Sequence, residues 1–302
     1  MLITGNSPAI QFDSVIFATD FSWESQNAGL YASAFSRFFV SKLVVAHGFI
    51  LTQAALEVEV ERPLSSQLRI DLFHELTRAA APLQAGLGAP ETVLLDGDPR
   101  KAIPILAHRR SPALVVMGTH GGGAIDRFIL GSTAEGILRQ SSEPALTVGP
   151  KVDALAAGPF RIRRVLYASD STAEAAHGAA VAVALASAFS AELDVLNVIR
   201  SGDITNPEDL PRIQKNYYGA IEAIMPQNTR QVCDPQTFVN VGQPHTRILK
   251  HIDERKIDLL ILGLRKSKHF GAQSRTSGVF PIIVEAKCPV LTVASVTPSE
   301  TS

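Results

Sequence analysis

The residues with the clearest chemical potential lie in one stretch, Gly118-Thr119-His120-Gly121-Gly122-Gly123-Ala124-Ile125-Asp126-Arg127-Phe128-Ile129-Leu130-Gly131-Ser132-Thr133. Glycines let a backbone approach a phosphate closely and offer N–H donors with no side chain in the way. Ser132 and Thr133 stand where a helix should begin. Their hydroxyls and the free amides of a first helical turn form a natural anion site. The spacing is Gly-x-x-Gly, nine residues, then Gly-Ser. It puts Gly118 and Gly121 at one end of the excursion and Gly131, Ser132 and Thr133 at the other, able to hold different phosphates of one nucleotide. His120, inside the loop, stands either near the phosphates or in solvent.

A plain flexible loop would also be rich in glycine, so context decides. The chain repeats itself. Ser14-Val15-Ile16-Phe17-Ala18-Thr19-Asp20 matches Arg164-Val165-Leu166-Tyr167-Ala168-Ser169-Asp170, 150 residues on. Leu114–Gly118 matches Leu259–Gly263, Glu143–Val148 matches Cys288–Val293, and Gly97-Asp98-Pro99 matches Gly242-Gln243-Pro244, each 145 residues on. Four landmarks in one order mark a duplication, with a net five residues lost between the first and third strands of the second copy.

Each half must therefore build the same scaffold. In the first, strands are expected near 14–19, 42–48, 91–95, 113–118 and 144–148. Helices are expected near 23–39, 65–85, 100–109 and 132–140. Leu43-Val44-Val45-Ala46 and Ala113-Leu114-Val115-Val116-Met117 are apolar without alternation, as strands of a parallel sheet covered on both faces are. Pro99 and Pro244 sit where a helix begins, a position proline tolerates. The expected fold is α/β: two tandem doubly wound, Rossmann-like domains with five-stranded parallel sheets. They span residues 1–150 and 160–297, joined by a linker between Gly149-Pro150 and Gly158-Pro159. Ligands of such sheets bind outside the carboxyl ends of the strands, at the switch point.

Composition excludes other classes. The 302 residues are 46% hydrophobic and 19% charged, which rules out a disordered chain. A net charge of −1 is a poor basis for binding a phosphate backbone, so no nucleic acid is expected. Two cysteines without CxxC spacing exclude a disulfide framework and a Cys-based zinc site, and fit a reduced, cytoplasmic compartment. No run reaches the roughly 18 apolar residues of a membrane span, and no secretory signal is seen.

With these motifs in hand, the chain resembles the universal stress protein family in its tandem two-domain form. Gly118, Gly121, Gly131 and Ser132 meet the family's Gly-x-x-Gly-x9-Gly-Ser/Thr motif in full. Ala18-Thr19-Asp20-Phe21-Ser22 looks like the end of its first strand, where the aspartate faces the adenine and ribose end of ATP. Val45-Ala46-His47-Gly48 looks like the end of its second, where backbone atoms face the adenine. The resemblance covers nearly the whole chain and implies an adenine nucleotide alpha hydrolase-like fold with pseudo-twofold related domains. It also implies ATP, with Mg²⁺, as the ligand of Thr19, Asp20, Ser22, Gly48, Gly118, His120, Gly121, Gly131, Ser132 and Thr133. Asp20 could also cap the following helix, a role that does not exclude the ligand one, and Ser22 reads first as a cap or turn residue. His47 reads first as a satisfied core histidine. The family pairs domains through edge strands such as Ala145–Gly149 and Val290–Ala294. This implies internal pairing of the two halves, with a homodimer and an unidentified protein partner as further expectations.

The second half departs from the pattern. Asp170 and Gly263 remain, but Lys266 replaces the second motif glycine, and Thr276-Ser277 replaces Gly131-Ser132. A Cβ at a close-approach position pushes backbone off a phosphate. Asp170, Gly263, Lys266 and Ser277 therefore read as a weak anion site at most. There is no GxxxxGK[ST], GxSxG or HExxH motif. Three readings stand: an ATP-binding stress-response regulator, an interaction scaffold without nucleotide, and a slow ATPase.

Overall fold

A computed structural model describes residues 10–50, 64–119, 130–155, 158–170, 172, 175–264 and 278–294. The chain forms two compact units, Gln11–Pro150 with Ala154–Gly158, and Lys151–Asp153 with the residues from Pro159 onward. In the first unit, β1 (Ser14–Ala18), α1 (Trp23–Phe38), β2 (Lys42–Phe49), α2 (Leu64–Ala80) and β3 (Glu91–Asp96) follow one another. Then come α3 (Pro99–Arg109), β4 (Ala113–Gly118), α4 (Ser132–Gln140) and β5 (Ala145–Val148). The five strands are parallel in the order β3-β2-β1-β4-β5. The chain runs outward from β1 to β3 and then returns to β4, so the switch point lies between β1 and β4.

The absence of alternation in the strands has the predicted cause. Val15 and Ile16 of β1, Leu43 to Ala46 of β2 and Ala113 to Val116 of β4 have no exposed surface. Each large apolar side chain so buried contributes about 1.5–3 kcal/mol. α1 is capped by Ser22, whose Oγ accepts the Ser25 N–H, and it buries Ala28, Ala32 and Phe35. α2 stops at Ala80, short of the expected end near 85, because Pro82 disfavours helical backbone in the residue before it. α3 begins at Pro99 with Asp98 as its cap. Before it, Gly97 takes φ +108, and its N–H donates to the Phe49 carbonyl at 2.9 Å.

The second unit repeats this plan. β6 (Arg164–Ser169), α5 (Ala175–Phe189), β7 (Glu192–Ile199), α6 (Leu210–Ile224) and β8 (Gln236–Val241) are followed by α7 (Pro244–Arg255), β9 (Leu259–Leu264), α8 (Phe280–Glu285) and β10 (Val290–Ala294). Its parallel order β10-β9-β6-β7-β8 is that of β5-β4-β1-β2-β3. Val44 lies opposite Glu91 and Asp194 opposite Gln236, so the five-residue loss falls between the second and third strands. Gly242 takes φ +145 and donates its N–H to the Ile199 carbonyl at 2.9 Å, as Gly97 does to Phe49.

One exchange between the cores is chemical. Val44 of β2 and Leu106 of α3 become Asp194 of β7 and His251 of α7, 1% and 5% exposed. His251 Nε2 lies 2.8 Å from Asp194 Oδ2, and Arg255 donates to the same carboxylate from Nε at 3.0 Å and Nη2 at 3.2 Å. Burial pushes the Asp194 carboxyl upward, but the bonds from His251 and Arg255 outweigh it, and the net direction is down. No described helix is long and apolar enough to cross a membrane.

Candidate functional site

In the first unit a cavity of about 440 Å³ opens at the carboxyl ends of β1, β2 and β4, where the switch point directs it. One wall is the turn after β1. Thr19 Oγ1 accepts the Phe21 N–H at 3.0 Å and shares a hydrogen bond with Ser25 Oγ at 3.1 Å. Asp20 Oδ1 accepts both the Ser22 N–H at 3.1 Å and the Ser22 hydroxyl at 2.6 Å. The cap of α1 is thus Ser22, not Asp20; Asp20 closes the turn before it. Phe21 is held at φ +65, a left-handed conformation costing a non-glycine residue about 1–2 kcal/mol. The Thr19 bond offsets that cost, as does stacking on His47, with ring centroids 4.2 Å apart and 30° between the planes. Backbone so over-determined is characteristic of sites where a ligand is held.

His47 is the satisfied histidine expected. Its Nδ1 lies 2.8 Å from the Thr19 carbonyl, which can only accept, so Nδ1 carries the proton. Gly48 has a packing reason to be glycine, since a Cβ there would sit 2.8 Å from Pro99 Cβ and 2.9 Å from Pro99 Cα. The missing side chain lets Pro99, the first residue of α3, close onto β2 at the wall of the cavity. Ile103, Met117, Ala134 and Ile137 make its apolar surface. None was singled out for the site from sequence; the helical period that turns Ile103 and Ile137 inward was the available signal.

The opposite wall is the start of α4. Gly131 is its N-cap, at φ −59 and ψ 141. Any residue tolerates that conformation, so the glycine is not a backbone requirement. Its N–H donates to the Thr119 carbonyl at 2.8 Å, which ties the helix start to the end of β4 and removes that amide from the donors facing a ligand. Having no side chain, Gly131 caps nothing. Ser132, Thr133 and Ala134, the first residues of the helix, have no intrahelical carbonyl to bond. α1 and α3 fill the same need with Ser22 and Asp98. The Arg100 stem fixes α4 in place: it packs where a Gly136 Cβ would come within 2.6 Å of its Cγ. Arg100 also pairs with Asp98 at 2.6 Å, and its hydrogen bond lowers the Asp98 pKa.

The structure therefore brings together Thr19, Asp20, Gly48, Gly118, Gly131, Ser132 and Thr133 around one cavity, with Ser22 behind Asp20. His120 and Gly121 lie outside the described residues. Asp20 is the one carboxylate among the described lining residues, and no cluster of three potential metal ligands occurs among the described residues.

The second unit has a cavity of about 500 Å³ at the matching place. Asp170 accepts the Thr172 N–H at 3.2 Å and hydroxyl at 2.8 Å, as Asp20 does with Ser22, and Asn197 Nδ2 donates to the Ser169 carbonyl at 2.9 Å where His47 met Thr19. Tyr167 replaces Phe17. Its hydroxyl donates to the Ala175 carbonyl at 2.6 Å, and burial pushes its pKa up to about 12. Gly263 lines the cavity; Lys266 and Ser277 lie outside the described residues.

A sequence profile described as "Universal stress protein family" matches residues 11–149 and again 161–294. A universal stress protein of Thermus aquaticus is 28% identical over 142 residues, spanning 98% of that protein and 45% of this chain. One from Methanocaldococcus jannaschii is 21% identical over 159 residues, spanning 98% of that protein and 47% of this chain. Among solved structures, a universal stress protein from Archaeoglobus fulgidus superposes with a TM-score of 0.66 at 22% identity, over 95% of this chain and 98% of that one. This last likeness bears on the fold alone.

Proposed function

We propose that this chain, which belongs to the universal stress protein family in both its halves, is a nucleotide-dependent stress-response regulator that binds ATP in its first half. The observation that carries the reading is the first cavity. It joins an apolar bay beside Gly48 to a helix start whose cap, Gly131, has no side chain to occupy the open amides. An adenine needs the first, and phosphates need the second. Asp20, between them on the β1 turn, is suited to accept hydrogen bonds from ribose hydroxyls.

Mg²⁺ keeps most of its water and commonly takes only one or two protein carboxylates beside phosphate oxygens. With Asp20 alone on the described lining, the metal would be held chiefly by the nucleotide. Turnover would need a positioned water and a group to stabilise transferred charge. Asp20 Oδ1 is engaged by Ser22, and His47 Nδ1 by Thr19, so the described lining favours holding the nucleotide over cleaving it.

The test is a calorimetric titration of the full chain with MgATP, beside Gly131→Leu. A bulky side chain at the cap blocks the open amides, and affinity should fall about tenfold or more, since a charge-assisted hydrogen bond is worth about 1.5–3 kcal/mol. An unchanged isotherm removes this helix start from the site. Phosphate release measured on the same samples separates a binder from a slow ATPase.

A further inference from the structure

We propose that the second cavity binds an amphipathic zwitterion, an amino acid with a large apolar side chain, in place of a nucleotide. This goes beyond the nucleotide reading and does not rest on it.

The walls of the second cavity gain hydrocarbon in three places, while Thr19 and Thr133 give way to Ser169 and Gly278. Where the first has Ala46, Gly48 and Thr119, the second has Leu196, Val198 and Leu264. Each of these three exchanges adds hydrocarbon. Val198 also fills the place of the bare Gly48 backbone, beside Pro244 as Gly48 is beside Pro99. Yet the cavity is no smaller, at about 500 Å³ against about 440 Å³. That is within the range of small-molecule sites and suits an apolar body.

The mouth has changed as well. β6 and β7 are parallel neighbours with Ser169 opposite Asn197, so the segments that follow them leave the sheet side by side. One brings Asp170; the other brings Arg200 and Asp203, on a turn closed by the Asp203 N–H donating to the Arg200 carbonyl at 2.9 Å. The residue at the position of Arg200 in the first half is Ile50, which is 58% exposed and carries no charge. The second mouth therefore holds one cation and two carboxylates among its described lining.

That charge set selects among ligands. A phosphate ester gains Arg200 but also meets Asp170 and Asp203. A simple carboxylic acid gains Arg200 but leaves both aspartates facing it. A zwitterion satisfies both signs: its carboxylate meets the planar fork of Arg200, its ammonium meets Asp170 or Asp203, and its side chain enters the aliphatic bay.

The experiment uses the full chain saturated with MgATP. It compares L-tryptophan with indole-3-acetate, which lacks the ammonium, and tryptamine, which lacks the carboxylate, by saturation-transfer NMR and calorimetry. L-Tryptophan should bind about tenfold or more tighter than either analogue. Arg200→Gln should erase its advantage over tryptamine and leave the ATP isotherm unchanged. Gly131→Leu should weaken ATP and leave L-tryptophan untouched, so failure of the nucleotide reading and of this one are told apart. Equal affinities for the three indoles, binding of none of them, displacement of L-tryptophan by ATP, or an Arg200→Gln variant with wild-type preference would overturn the proposal.

Discussion

Replacing Asp194 by Val and His251 by Leu together should leave the second unit about as stable as it is now, although each change alone should damage it. The first unit shows that the apolar pair fits this framework. Val44 lies opposite Ile16 in the register that sets Asp194 opposite Leu166, and Leu106 follows Pro99 at the interval by which His251 follows Pro244. His251→Leu removes the 2.8 Å bond from a carboxylate that is 1% exposed, leaving it to Arg255 alone, for a loss of about 2–3 kcal/mol. Asp194→Val leaves the buried His251 without its acceptor, while Arg255 keeps Gln236 at 2.7 Å, for a loss of about 1–3 kcal/mol. The double variant removes both buried polar groups at once, and replacing both partners of a buried hydrogen bond with apolar residues of similar shape is often neutral or stabilising. The cycle should then give a coupling of at least about 2 kcal/mol. Hydrogen exchange at the amides of β7 and α7 reads this unit separately from the first. The pH dependence supplies a second readout. The folded-state pKa of Asp194 is lowered from the ordinary 3.8, so its contribution is complete above that value and is lost as pH falls through the folded value. In acid the wild type should therefore weaken relative to the double variant. Additive single effects, or a double variant as weak as the worse single one, would refute the reasoning.

Three further outcomes are expected. Gly48→Val puts a side chain against Pro99, where a Cβ alone comes within 2.8 Å; it should cost about 1–3 kcal/mol of stability in thermal unfolding and abolish measurable ATP binding by calorimetry. Calorimetry of the wild type at physiological salt should find about one tight nucleotide per chain, since the matching bay of the second unit is lined by Leu196 and Val198; two equivalent sites would contradict this. Tyr167→Phe loses the 2.6 Å bond to the Ala175 carbonyl but restores the residue type of Phe17, so denaturant unfolding should show a loss of about 1–2 kcal/mol and no more.

Much of the scaffold was legible because its signals are local. Unalternating runs such as Leu43–Ala46 announce burial on both faces, and the Gly-x-Pro pairs at 97 and 242 announce helix starts. The members of the site described at the ends of β1 and β4 could be named because strand, turn and helix follow one another within a few residues. Contacts across long sequence separations could not be read. The reason for glycine at 48 is a proline at 99, and the acceptor of the Gly131 N–H is fixed only once β4 and α4 are placed. Asp194 reads as one polar residue in a strand until folding brings His251 and Arg255 to it. Asp20 and Ser22 both read as possible caps of the first helix, since either polar residue can precede it; Ser22 takes the cap and Asp20 closes the turn.

The positive-φ glycines before Pro99 and Pro244 bind α3 and α7 to the strands beside the two cavities through one 2.9 Å hydrogen bond each. A rod fastened at its first residue behaves as a tethered lever: its foot stays at the strand, while the rest can tilt to suit what packs beneath it. Gly48 lets Pro99 at the foot of the first lever rest against β2, and Val198 stands at the matching place beside the cavity of the second, with no change in strand order or in the fastening. The lining of each bay can thus change residue by residue while the frame and its fastening stay, so two copies of one scaffold on one chain can be fitted to different guests.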